Sequence, residues 1–385
     1  MVIDAKVYSS LSKVYGSLTS EVLKQILLPS KRLYLRVNTM KITREELLER
    51  LREKNIDIYP DPYVDEAVYI QLKGPYNIPL LNKTIIVDKY AAESIMIGAS
   101  LYRPGIIKYD KFNKGEEVTV LAPNYRPVAI VKTLVSSEKL KHMRKGIVGE
   151  NILSIYRAPP IRDLPEYSKG LFYPQSLPAI ITTKILDPRP GELVIDMNAA
   201  PGGKTSHIVQ LSRGACRVLA LERNTKKAEV VRKTLTRLDL YKNVLILPLD
   251  SRYIHIDLEL VGKPDKILID PPCTGLGVRP KIEITTQYKD IVNSYLYQRQ
   301  FLNTARKIAG KETIIVYSTC TLTWEENEGN ILYAVRKLGM ETIDLGRIPY
   351  ADKVYYDDIV VYRFNPLKPI DLNGYFIAVL SPITS

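Results

Sequence analysis

Apolar positions fall into three successive rhythms along the chain. In residues 1–30 they recur at helical spacing, most clearly in SEVLKQILL. LYLRVNT (33–39) then reads as a strand, and REELLERLREKN (44–55) as an amphipathic helix. Thr43 stands at the N-cap of that helix with Glu46 three residues on, the spacing of a capping box. From Asp57 to Leu81 short apolar pieces broken by prolines predict strand and loop. The second rhythm runs from Thr84 to Tyr156. TIIVDKYAAESIMIGASL predicts a short strand and a helix ended by Gly98, and Pro104-Gly105 turns the chain. GEEVTVLAP and RPVAIVKTLVSS are β-branched runs joined through Pro123-Asn124-Tyr125, so this segment is a small, mostly β unit. The third rhythm, from Asp187, alternates strand and helix. Strands are expected at ELVIDM (192–197), RVLALE (217–222), NVLILPL (243–249), KILID (266–270) and TIIVYS (313–318), with helices over 225–239 and 286–309. That alternation predicts a mostly parallel, doubly wound α/β sheet. DIVVYRF (358–364) and GYFIAVL (374–380) are expected to add an antiparallel edge hairpin.

The length of 385 residues suits two or three domains. The chain carries 55 Lys and Arg against 42 Asp and Glu, a formal charge of +13. Most of the surplus is local: residues 101–150 hold ten basic and five acidic residues, and 201–250 hold ten and four. Clustering of this kind favours a polyanionic partner, most simply nucleic acid, over a surface made basic for solubility alone. No run of about 18 apolar residues is present, so no membrane span is expected. MVIDAKVYSS lacks the basic-then-apolar pattern of a secretory leader. Three cysteines without a close pair suit a reducing compartment, and a cytoplasmic location is expected. Scattered histidines and the absence of C-x-x-C argue against a metal site, and no G-x-S-x-G elbow marks a hydrolase.

Doubly wound sheets bind ligands at the carboxyl ends of their strands, and the chemically distinctive residues lie there. DMNAAPGGKTSH (196–207) leaves a strand through small residues. There Gly202-Gly203 either bring backbone N–H groups to a ligand or simply make a tight strand–helix turn. It is neither the spaced glycine motif of dinucleotide enzymes nor a P-loop. Glu222 ends the next strand, placed to accept from two ribose hydroxyls of an adenosine-type cofactor. Asp250 ends the third and reads either as a contact to an adenine amino group or as a helix N-cap. Two of the three cysteines, in KILIDPPCTGLGVRP (266–280) and VYSTCTLTWEENE (316–328), follow strands on the same face. Cys216, before a strand, reads as a small buried hydrophobe.

The succession DMNAAPGGKTSH, DPPCTGLG and YSTCT resembles the Sun-type (Nol/Nop/Sun) RNA cytosine-5 methyltransferase family over about residues 165–385. The segment from VDKYAAESIMIGASLYRPGI to RPVAIVKTLVSS resembles a PUA domain, an RNA-binding module. LYLRVNT, PUA, then catalytic domain resembles the branch acting on the tRNA acceptor end. The resemblance implies a small α/β, RRM-like region (1–83), an inserted PUA domain (84–156) and a Rossmann-like, S-adenosylmethionine-dependent catalytic domain (157–385). It implies that Asn198, Ala199, Ala200, Pro201, Gly202, Gly203, Lys204, Glu222, Lys227, Asp250 and Asp270 line the S-adenosylmethionine site. Cys320 would be the nucleophile, Cys273 the second cysteine, and Lys204 would position Asp270 and the base. Three positions depart from the family's habit: Asn198 for Cys, Pro271 for Ala and Glu222 for Asp. None removes a reacting group.

The chemistry agrees. Carbon 5 of cytosine is a poor nucleophile until a thiolate adds at carbon 6. A free thiol with pKa about 8.5 is only a few per cent ionised at neutral pH, so Cys320 needs local activation. Asp270 can bond the exocyclic amine and ring nitrogen as charge develops, and Cys273 suits release of the adduct. The resemblance implies that the substrate is tRNA, gripped at its single-stranded 3′ CCA end and methylated at nucleotide 72 of the acceptor stem, a place where extrusion of a base is cheap. A monomer is expected. The rivals are the same chemistry on ribosomal RNA and a non-catalytic RNA-binding assembly factor. Retention of both Cys273 and Cys320 disfavours the latter.

Overall fold

A computed structural model describes residues 3–258 and 262–383. Three sheets correspond to the three rhythms. The first has four strands in the order Phe172–Pro174, Arg32–Val37, Ala67–Gln71, Ile58–Pro60. The helix Arg44–Arg52 packs on it through Leu47, Leu48 and Leu51, and both bonds of the Thr43–Glu46 capping box are formed. Residues 172–174 lie beyond the β-rich unit, yet they pair antiparallel with Arg32–Val37 and belong to this N-terminal sheet by hydrogen bonding. The helices Ala5–Tyr15 and Thr19–Gln25 leave that sheet altogether. Their apolar face, Val7, Leu11, Val22 and Leu23, meets Leu276, Ile284, Ile291 and Leu322, which come from loops and a helix of the catalytic region.

The second sheet has six strands and holds the core of the β-rich unit, with Val87, Val118, Val120, Val131 and Val148 fully buried. Its helix Lys89–Ile95 docks on the segment after Cys273. Glu93 Oε1 accepts from the Ile282 N–H at 3.1 Å, and Lys89 Nζ donates to Thr285 Oγ1 at 2.6 Å. Ile282 itself inserts into the β-unit core.

The third sheet positions the site. Its strands are β1 (Leu193–Asp196), β2 (Arg217–Leu221), β3 (Val244–Leu247), β4 (Lys266–Ile269), β5 (Ile314–Thr319), β6 (Met340–Thr342), β7 (Asp352–Tyr356), β8 (Ile359–Phe364) and β9 (Tyr375–Pro382). The order is β3-β2-β1-β4-β5-β9-β8-β7, with β6 also paired to β9. β1 to β5 are parallel, and the order of winding reverses between β1 and β4, where a ligand crevice forms. DIVVYRF and GYFIAVL pair antiparallel as expected, but neither strand is at the edge. β9 pairs with β5 on one side and β8 on the other, while β7 lies beyond β8. GYFIAVL is apolar at nearly every position because both of its faces are covered, as an interior strand requires. No described helix is long and apolar enough to cross a membrane.

Candidate active site

A cavity of about 300 Å³ opens at the switch point. It gathers Asn198, Ala200, Glu222, Lys227, Asp250, Asp270, Cys273 and Cys320, residues drawn from beyond the ends of five strands. Asp196 ends β1 buried, one oxygen accepting the Asn198 N–H at 3.2 Å and the other Thr205 Oγ1 at 2.7 Å. Burial pushes its carboxyl up to about 6, against those hydrogen bonds. The glycine-rich turn works differently from one of its expected roles. The Ala199 N–H is spent on Leu221 O at 2.9 Å and the Gly202 N–H on Ala199 O at 2.7 Å, and Pro201 has no N–H. Gly202 is needed for its φ of 101°, which starts the helix Gly203–Leu211. Ala199, Pro201 and Gly202 therefore shape the turn, Gly203 starts the helix, and Asn198 and Ala200 form the wall. Asn198 Oδ1 is buried and has no partner. An orphaned acceptor beside a polar-lined cavity fits a cofactor that brings its own donors.

Glu222 accepts the Asn224 N–H at 3.0 Å through Oε1. Asp250 caps no helix: its carboxylate is held by Arg252 at 2.6 Å, which keeps it below the usual carboxylate range. Arg252 lies in turn over Tyr297, 4.6 Å from the ring centre.

The reacting groups cluster at the inner end of the cavity. Lys204 Nζ donates to Asp270 Oδ2 at 2.5 Å. Ser318 Oγ and Tyr375 OH donate to Oδ1 at 3.0 and 3.3 Å. Burial alone would lower the Lys204 ammonium, but Asp270 and Tyr375 outweigh it and hold it above its ordinary value. The sulfurs of Cys273 and Cys320 are 3.3 Å apart, a hydrogen-bonded contact between two free cysteines. With Cys273 as donor, Cys320 falls below the ordinary thiol value, helped by Lys204 and opposed by burial. Cys273 rises well above it, through that same bond and through burial. Gly277 makes the close approach possible: its N–H bonds Cys320 O at 2.9 Å, and an added Cβ would sit 2.1 Å from Gly374 O. Among the described residues no three His, Cys, Asp or Glu side chains are grouped to hold a metal.

Several contributors escaped the sequence reading. Arg36, buried in the N-terminal sheet, donates to Gly203 O at 2.5 Å, Gln175 Oε1 at 2.6 Å and Ser206 Oγ at 2.7 Å, fastening the start of the Lys204 helix. Arg223, Ser251, Tyr297 and Phe301 complete the cavity wall. Ser318 and Tyr375 orient Asp270. Only Ser318, inside YSTC, had a local signal.

Three family models match in chain order: an RsmF/B-like methyltransferase ferredoxin-like domain over residues 7–78, a PUA domain over 83–153, and 16S rRNA methyltransferase RsmB/F over 183–381. The tRNA (cytosine(72)-C(5))-methyltransferase of Pyrococcus horikoshii is 35% identical over 372 residues, covering 94% of this chain and 92% of its own length. The tRNA (cytosine(72)-C(5))-methyltransferase NSUN6 of Homo sapiens is 27% identical over 327 residues, covering 76% of this chain and 68% of its own. The crystal structure of NSun6 from Pyrococcus horikoshii with SFG matches at a TM-score of 0.87 and 34% identity, covering 99% of this chain and 98% of that one.

Proposed function

The chain belongs to the RsmB/F family of methyltransferases, and from that premise we propose that it methylates carbon 5 of the cytosine at nucleotide 72 of tRNA. The observation that carries the reading is the Cys273–Cys320 contact of 3.3 Å beside Asp270, on the wall of the cofactor cavity. S-adenosylmethionine, when bound, supplies an electrophilic methyl group. Cys320 adds as thiolate to carbon 6, making carbon 5 nucleophilic. Asp270, held by Lys204, Ser318 and Tyr375, would face the cytosine amine and ring nitrogen. After transfer carbon 5 still carries its proton: Cys273, beside the adduct, would take it as general base, and the carbon–sulfur bond then breaks to return Cys320 as a thiolate. Asn198, Glu222, Lys227 and Asp250 hold the cofactor.

Glu222 is assigned the ribose hydroxyls. Glu222→Ala should weaken S-adenosylmethionine binding by roughly 1.5–3 kcal/mol per charged hydrogen bond lost. Unchanged affinity by calorimetry in the folded variant removes that assignment.

The catalytic family's description names a ribosomal substrate. What favours tRNA is the match of this chain, through all three regions, to a relative named for cytosine 72. Bisulfite mapping of total tRNA and rRNA after incubation with protein and cofactor decides between them. The β-rich unit is assigned the CCA tail. Binding should fall with salt at a logarithmic slope of about 0.7 per single-strand phosphate neutralised. Removing CCA should lower both affinity and rate at matched salt, whereas equal rates with and without CCA leave only general electrostatic attraction.

A further inference from the structure

One fully buried carboxylate, with no part in the chemistry above, connects both cysteine loops. Glu326 has no exposed surface. One of its oxygens accepts the Thr274 N–H at 2.9 Å and Gln298 Nε2 at 3.0 Å. The other accepts Thr274 Oγ1 at 2.6 Å, Thr323 Oγ1 at 2.7 Å and Thr321 Oγ1 at 3.3 Å. Thr274 directly follows Cys273, and Thr321 directly follows Cys320. Their two hydroxyls also meet at 2.6 Å. Gln298 adds a second tie, donating to Pro272 O at 3.0 Å, on the other side of Cys273. Every partner of Glu326 is a donor, the set that an ionised carboxylate satisfies. Burying such a charge is costly unless its hydrogen bonds are complete, and apolar side chains would close two loops at less expense.

We infer that Glu326 is a positioning residue of the methyl-transfer site: it grips the residue after each cysteine and so fixes the contact in which Cys273 faces Cys320. This rests on the two-cysteine reading above. The Glu326 charge also acts to raise both thiols, which disfavours two thiolates at once.

The test is Glu326→Gln in the full chain, with a thermal melt, steady-state kinetics, and iodoacetamide alkylation followed by peptide mass spectrometry across pH. Cys216, buried behind β2, is the internal reference. A shift of about 1 Å in a reacting group can cost about 100-fold, so kcat should fall by about that factor with both KM values nearly unchanged. The preference for alkylating Cys320 over Cys273 should collapse towards equality. A folded Glu326→Gln protein with wild-type kcat, or with the wild-type alkylation ratio, overturns the inference. If that variant does not fold, Thr274→Val carries the test, since it deletes one hydroxyl tie and keeps the carboxylate. A reduced alkylation ratio supports the inference and an unchanged one overturns it. Wild-type protein that methylates no RNA and alkylates both thiols alike would instead remove the two-cysteine reading itself.

Discussion

Cys320→Ala should reduce methyl transfer to the level without enzyme and leave no covalent RNA–protein complex, while Cys273→Ala should trap one. The two thiols share one contact at 3.3 Å, yet their environments part them. Cys320 receives the hydrogen bond and feels Lys204, so it ionises more readily than a free thiol and can attack carbon 6. Cys273 gives that bond and is held as a thiol while Cys320 is free, which leaves it unsuited to attack. Once Cys320 is joined to carbon 6 that bond is gone, and Cys273 can lose its proton and take the one on carbon 5. In Cys273→Ala, attack and methylation proceed and the adduct persists through denaturing electrophoresis. In wild-type protein the thiolate is the active form and its neighbours favour it, so kcat/KM should rise with pH around a midpoint lower than these surroundings would give without the Cys273 bond and Lys204, and be lost on acidification. An adduct in Cys320→Ala instead would reverse the two assignments.

Asp270→Asn should cost roughly 10²–10³-fold in kcat, the scale set by removing one preorganised charge stabiliser. Asparagine is nearly isosteric and still accepts from Ser318 and Tyr375, but it cannot pair with the Lys204 ammonium or take up positive character from the cytosine amine. Stabilisation by Asp270 is needed when Cys320 adds, so the effect should precede methyl transfer. The Cys273→Ala background isolates that step: the trapped adduct should largely disappear in the Asp270→Asn, Cys273→Ala double variant. An undiminished adduct would move the action of Asp270 to a later stage and sink this account of attack.

What the sequence disclosed follows chain locality. Parallel strands covered on both faces are continuous β-branched runs, so LVID, VLAL, KILI and IIVYST announced themselves, and the residues just past them could be assigned to one face. Asp270, Cys273 and Cys320 stand within short distinctive motifs next to such runs. Arg36 does not. Within LYLRVNT it looks like the polar face of a strand, and only tertiary packing carries its guanidinium to Gly203, 167 residues on. Tyr375 reads as one more aromatic in an apolar strand until β9 inserts beside β5 and its hydroxyl reaches Asp270. From sequence, GYFIAVL is expected in an edge hairpin; its unbroken apolar run suits the interior place it takes, but its second partner strand is decided by long-range pairing. The role of Asp250 was undetermined because its neighbour two residues on, Arg252, could be recognised as its partner only once the turn was formed.

Ile282, seated in the core of the β-rich unit, makes that unit something other than an exchangeable cassette. Excising residues 84–156 would uncover an isoleucine on the very segment that carries Cys273, and would remove the Glu93 and Lys89 bonds that hold it. Grafting the unit onto a foreign catalytic domain would transport its affinity for RNA but not this brace. Module and loop each supply one half of a shared hydrophobic seam.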